Sequence, residues 1–172
     1  MSKTILITGA ASGFGRDAAV LLAARGHTVI AGAQDVLQRA ELAAAHPELA
    51  VVELDITNPD HVASLDQFDL DVLVGNAGLG QTGPLSEVPM QLVRRVFEVN
   101  VFGTLAVAQR VAQAMKRKRS GRILLVSSIA GVRAGAGSGP YSMTKHAMQA
   151  MGGVLRNELA PFGVDVALVN PG

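Results

Sequence analysis

A chain of 172 residues, 49% hydrophobic and with 19 glycines, suits one domain with a substantial buried core and excludes a disordered, highly charged polymer. The absence of cysteine excludes a disulfide scaffold and a thiolate nucleophile. A net charge of +1 with 3% aromatic residues argues against nucleic acid as a partner, because neither a broad basic face nor stacking platforms are on offer.

In chain order, the opening MSKTILITG enters a short apolar run and a glycine turn at once, without the hydrophobic stretch of a secretory leader. With no long apolar span elsewhere, the expectation is a cytoplasmic protein that does not insert into membranes. Thr4 to Thr8 reads as a buried strand, Gly9 to Gly15 as a turn, and the following apolar-polar stretch as a helix running through Arg25. Thr28 to Ala31 restarts a strand, Val36 to Ala45 has helical composition, and Ala50 to Leu54 is the third strand. Pro59 opens a short helix, where a missing N–H costs no hydrogen bond. Asp71 to Val74 is a fourth strand that ends at Gly75-Asn76-Ala77-Gly78.

Pro89 to about Lys118 is helical in pattern but long for one uninterrupted helix. Its basic end, Met115 to Ser120, reads as a solvated helix C-terminus closed by Gly121. Ile123 to Ser127 is the fifth strand, Tyr141 to Leu159 a helix, Pro161-Phe162-Gly163 its exit and Val164 to Val169 the sixth strand. Six apolar strands separated mainly by helices predict an α/β architecture. The expected form is a Rossmann-like, doubly wound parallel sheet covered on both faces, within a single domain over residues 1–172.

The turn ITGAASGFG sits between a strand and a helix, the setting of a dinucleotide-binding loop. Gly9 supports the tight turn, Gly13 allows close approach of a phosphate, and Gly15 lets the helix pack near the strand. The helix N-terminus then presents free N–H groups to a pyrophosphate. Asn76-Ala77-Gly78 ends a strand on the same side of such a sheet. Asn100, inside FEVNVFG, either satisfies a buried polar contact or stabilises a local helical distortion that holds water beside a proton-transfer site.

Tyr141 and Lys145 lie four residues apart, so a helix brings them to one face and the ammonium favours the phenolate. Ser128 follows a strand at the same sheet end, where its hydroxyl is placed to orient a carbonyl or alcohol oxygen. No His-Asp framework accompanies Ser128, so hydride-transfer proton chemistry fits better than hydrolysis. His27, His46, His61 and His146 are dispersed and lack ligand spacing, so they read as surface or helix residues and no metal site is expected.

TGAASGFG at 8–15, NAG at 76–78, the asparagine of EVNVFG at 100, SS at 127–128, YSMTK at 141–145 and NPG at 170–172 together resemble the short-chain dehydrogenase/reductase family. The resemblance implies an oxidoreductase that moves hydride between NAD or NADP and a small-molecule alcohol or carbonyl substrate. Tyr141 is then the general acid/base, Lys145 its support and a ribose contact, Ser128 the substrate-positioning hydroxyl and Asn100 a member of the proton relay. Cofactor contacts are implied at Gly9, Ser12, Gly13, Phe14 and Gly15, at Asp55 and Ile56, at Asn76, Ala77 and Gly78, and at Tyr141 and Lys145.

Asp55 resembles the family's adenine-side residue, with a turn-capping role as its competitor. Ala33 and Gln34 stand where a discriminating acid or arginine is common, and Arg16 points to no single choice, so NAD against NADP stays open. Family members usually continue well past NPG. The expectation is a chain short of the C-terminal elements, for which a dinucleotide-binding module without turnover, or a noncatalytic interaction protein, is the alternative. Two long helical stretches, Met90 to Lys118 and Tyr141 to Leu159, resemble the family's assembly surfaces and imply a homodimer or higher homo-oligomer.

Overall fold

A computed structural model describes residues 1–172, Met1 to Gly172. Six strands form one parallel sheet: β1 (Thr4–Thr8), β2 (Thr28–Ala33), β3 (Ala50–Glu53), β4 (Val72–Gly75), β5 (Gly121–Val126) and β6 (Val164–Val169). Their spatial order is β3-β2-β1-β4-β5-β6, with Ile5 opposite Val29 on one side of β1 and opposite Val72 on the other. The connections run outward in opposite directions from the β1–β4 pair, and a crevice opens at that reversal beyond the strands' carboxyl ends.

The helices are α1 (Gly13–Ala24), α2 (Val36–Ala45), α3 (Pro59–Ala63), α4 (Met90–Phe97), α5 (Thr104–Lys118) and α6 (Gly139–Leu159). Successive strand residues face opposite sides, so each strand feeds two cores. Ile5, Ile7, Val29 and Ala31 pack with Ala19 of α1 and Leu42 of α2 on one face. Leu6, Leu73, Ile123 and Leu125 pack with Val107, Val111 and Met115 of α5 and Met148 of α6 on the other. Burial on both sides explains why these strands are nearly continuous runs of apolar residues.

The expected architecture is present: β1, α2 and β6 keep the expected limits, and several other limits shift by one to three residues. β2 continues to Ala33, while β5 begins at Gly121 and stops before Ser127. The long stretch after Pro89 is divided: α4 passes into a π-helical segment, Glu98–Gly103, before α5 resumes. This is the packing reason that its length called for. The basic end of α5 needs correction in two respects. Its left-handed cap is Arg119 (φ 53°), and Gly121 instead begins β5, where a Cβ would meet Met115. Lys118 is tethered too, donating to Asp69 Oδ1 at 2.8 Å and the Leu70 carbonyl at 2.6 Å. No helix is long and apolar enough to cross a membrane.

Candidate active site

The glycine turn is shaped by three different demands. Gly9 has φ +65°, and a Cβ there would lie 2.8 Å from Ala77 Cα, so the β1 exit and the β4 exit touch through bare backbone. A Cβ at Gly15 would press on the Gly9 carbonyl and stand 2.5 Å from Asn76 Nδ2. Gly13, at φ +53°, has nothing within 4 Å of that position, which leaves room for a ligand at the start of α1. Ser12 precedes α1 in extended conformation and its hydroxyl caps no helical N–H.

Thr8 and Asn76 lock this arrangement. Thr8 Oγ1 accepts from the Asn76 and Ala77 amides, both at 3.0 Å, while Asn76 Nδ2 donates to the carbonyls of Thr8 (3.0 Å) and Gly9 (3.1 Å). Asn76 therefore braces the loop rather than ending a simple turn. Gly9, Ser12, Asp55, Ile56, Asn76, Ala77 and Gly78 line one cleft of 360 Å³, joined there by Gln34, Gln38 and Leu79. Seven of the cofactor residues expected from sequence thus come together. Phe14 is 71% exposed and stands apart from that lining.

Of the two readings of Asp55, the turn cap is present. One carboxylate oxygen accepts from Thr57 N (2.9 Å) and Thr57 Oγ1 (2.7 Å), a turn cap, while the residue also faces the cleft. At the end of β2, Gln34 is exposed and Asp35 caps α2 through Gln38 N at 2.9 Å. Arg16 pairs with the neighbouring Asp17 at 3.3 Å.

At Gly78 the cleft approaches the second constellation. A Cβ at that position would be 3.3 Å from Asn100 Oδ1 and 3.8 Å from Lys145 Nζ. Asn100 is fully buried in the π-helical segment, so the distortion expected around it is present. Its amide is heavily committed: Oδ1 accepts from Leu79 N at 2.7 Å, and Nδ2 donates to the Leu79 carbonyl at 2.9 Å and Thr144 Oγ1 at 3.1 Å. Both amide protons are spent, so the side chain acts as a clamp between the β4 exit and α6. Thr144 completes it by donating to the Tyr141 carbonyl at 2.7 Å.

Lys145 is 4% exposed, and desolvation lowers its ammonium from the usual 10.5 to about 8. It donates to the Val126 carbonyl at 2.7 Å and lies 5.5 Å from the centroid of the half-buried Tyr141 ring, within cation–π range. Helical spacing places the two on one face as expected. Ser127 Oγ donates to the Lys145 carbonyl at 3.2 Å, which ties the β5 exit to α6. Ser128 accepts from Ala130 N at 3.1 Å and donates to the Pro171 carbonyl at 3.4 Å. The second bond is long enough to be exchanged for a better acceptor.

Sequence reasoning did not find Thr8, Thr144 or Ser127. A threonine three residues after Tyr141 was the one local signal available. The histidines also do more than face solvent: His61 Nδ1 accepts from Asp55 N at 3.1 Å, and His27 Nδ1 accepts from Lys3 N at 3.2 Å.

Known proteins are similar to this chain over nearly its whole length. YusZ, an oxidoreductase of Bacillus subtilis (strain 168), is 38% identical over 181 residues, covering 99% of this chain and 64% of that protein. The chain therefore spans somewhat under two thirds of that relative's length. A short-chain dehydrogenase structure from Streptomyces avermitilis superposes with TM-score 0.91 at 36% identity, over 99% of this chain and 65% of its own. ElxO with NADP bound (TM-score 0.93, 26% identity) and an NAD+-bound xylitol dehydrogenase (TM-score 0.91, 26% identity) cover 100% and 99% of this chain, and 74% and 70% of their own. The family model described as short chain dehydrogenase matches residues 3–172, and with the fold and the relatives above this places the chain in the short-chain dehydrogenase/reductase family.

Proposed function

We propose that this protein is an NAD(P)-dependent oxidoreductase that interconverts an alcohol and a carbonyl compound. The observation that carries the proposal is Lys145, a buried ammonium 5.5 Å from the Tyr141 ring, beside a glycine-lined cleft. A dinucleotide fits the residues present. Open space at Gly13, the uncommitted Ser12 hydroxyl and the N-terminus of α1 suit a pyrophosphate, and the second Asp55 oxygen is free for the adenosine side. When bound, its nicotinamide supplies the hydride acceptor or donor.

The chain's own residues supply the rest. Tyr141 takes the hydroxyl proton in oxidation and returns a proton to the carbonyl oxygen in reduction. Lys145 stabilises the phenolate between these events, through charge rather than direct proton transfer to substrate. Ser128 gives up its long bond to Pro171 and holds the substrate oxygen. Asn100 keeps Leu79 and Thr144 in register, so its part in proton exchange is to shape the site around any relay water. Gln34 is uncharged, the end of β2 offers no arginine to a ribose phosphate, and its acid, Asp35, is engaged in capping α2, so neither NAD nor NADP is singled out. The substrate is a small molecule.

We also propose self-association as a homodimer or higher homo-oligomer. Met90 of α4 and Phe102 of the π-helical segment are 59% and 56% exposed, and Val154 of α6 is 53% exposed, an apolar display that a second copy would cover.

The test of catalysis is titration with NADH and NADPH by fluorescence, then single-turnover hydride transfer over a panel of alcohols and ketones. Tyr141→Phe is expected to lower the chemical step at least ~100-fold with little change in dinucleotide affinity. Equal turnover by that variant would remove Tyr141 from its role, and absence of binding to either dinucleotide would overturn the proposal.

A further inference from the structure

We propose that His61 is a proton-controlled latch on the Asp55 loop, so that dinucleotide affinity falls as the imidazole becomes protonated; the ligand part of this inference rests on the function proposed above. His61 sits in α3, is half-buried, and accepts the Asp55 amide proton through Nδ1 at 3.1 Å. A ring nitrogen that accepts carries no proton of its own, so the latched form is the neutral imidazole with hydrogen on Nε2. That second nitrogen is 3.9 Å from Glu53 Oε1 at the end of β3.

Protonation changes both contacts in opposite directions. Nδ1–H no longer accepts from the Asp55 amide, leaving a partly buried N–H without its partner, while the imidazolium gains attraction to the Glu53 carboxylate. The ring is then drawn towards β3 and away from the loop. Other charged groups around α3 do not replace the latch. Asp60 adjoins His61 in the chain, the Asp55 carboxylate is engaged by Thr57, and Arg110 on α5, against which α3 packs, is turned to Asp66.

The loop matters because it is wedged between two functional parts. Leu54, Asp55 and Ile56 line the 360 Å³ cleft. Ile56 also supports the π-helical segment: a Cβ on Gly103 would lie 2.8 Å from Ile56 Cγ1 and 3.0 Å from the Ile56 carbonyl. Loss of the anchor at Asp55 therefore loosens one cleft wall directly beneath the segment that carries Asn100.

The test compares the wild type with His61→Asn, whose amide oxygen replaces Nδ1 as acceptor but does not titrate, and with His61→Ala, which has no acceptor. NADH and NADPH affinities are measured by fluorescence from pH 5.5 to 7, below the range in which Lys145 loses its charge. The Asp55 amide and His61 ring signals are followed by NMR in the free protein. The wild type is expected to bind up to roughly fivefold more weakly at pH 5.5 than at pH 7, the worth of one such hydrogen bond. The Asp55 amide is expected to shift with the same midpoint as the ring. His61→Asn should bind with a flat profile, and His61→Ala weakly throughout. An Asp55 amide that ignores ring protonation, or the wild-type pH profile persisting in His61→Asn, would overturn the latch. If neither dinucleotide binds at any pH, the functional reading fails and the NMR titration alone decides whether the latch exists.

Discussion

Replacing Lys145 by methionine is expected to stabilise the fold while abolishing the hydride transfer proposed above. Methionine matches the lysine stem in length and extends into a pocket that already contains Met148 Sδ, 3.5 Å from Nζ. The lowering of the ammonium from 10.5 to about 8 corresponds to about 3 kcal/mol, at ~1.4 kcal/mol per tenfold, by which folding disfavours the charged form. Loss of the bond to the Val126 carbonyl returns about 1–2 kcal/mol of that, so the net gain at pH 7 is about 1–2 kcal/mol. For a domain of this size the gain raises Tm by roughly 2–8 °C.

The sign depends on pH. Below pH 8 both folded and unfolded lysine are protonated and the desolvation cost is present in full. Between 8 and 10.5 the unfolded chain holds more protons than the folded one, so this group's contribution to wild-type stability improves as pH rises. The advantage of Lys145→Met should therefore shrink to zero within that interval and give way, near its top, to a deficit of about 1–2 kcal/mol, the worth of the lost bond to the Val126 carbonyl. Thermal melts of both proteins at pH 7, 9 and 10.5 measure it. A variant less stable at pH 7, or one whose advantage is the same at all three values, would refute the reasoning.

Gly15→Ala forces a Cβ against the Gly9 carbonyl and Asn76, and should cost about 3 kcal/mol in a urea melt, whereas Gly13→Ala meets no atom and should cost only about 1–2 kcal/mol through its positive φ while still weakening dinucleotide binding. Thr144→Val removes the acceptor of a buried Asn100 proton and should destabilise by about 1–3 kcal/mol, with Thr144→Ser restoring most of the loss. Light scattering over a concentration series should show a species of at least twice the monomer mass; a stable folded monomer at high concentration would exclude the proposed assembly.

Local periodicity made most of the architecture legible. Strands buried on both faces write themselves as apolar runs, and the helix between Val36 and Ala45 shows in its composition. Gly9, Gly13 and Gly15 were readable because each relieves a different backbone constraint at fixed spacing. Tyr141 and Lys145 were readable because four residues is one helical turn. The clamps were not. Thr8 reaches across to residues 76 and 77, and Asn100 to Thr144, and no local pattern encodes a partner so distant in the chain. Arg119 shows a different limit: glycine is the usual left-handed cap, but here the cap is held by Arg119 Nη2 donating to the Pro161 carbonyl at 2.8 Å. His61 was hidden because its partner is a backbone amide, which every residue but proline possesses.

The π-helical segment has a further consequence for the geometry of the whole helical stretch. A π turn holds one residue more than an α turn, and one residue rotates everything after it by about 100° around the axis. The apolar stripes of α4 and α5 are consequently out of phase: Val93 and Val96 bury one side before the segment, and Val107, Val111 and Met115 bury another after it. Deleting a single residue between Glu98 and Gly103 would restore a continuous α-helix, yet it would swing those three core side chains off the sheet. The irregularity beside the site is thus the phase correction that lets one long helical run serve two packing partners.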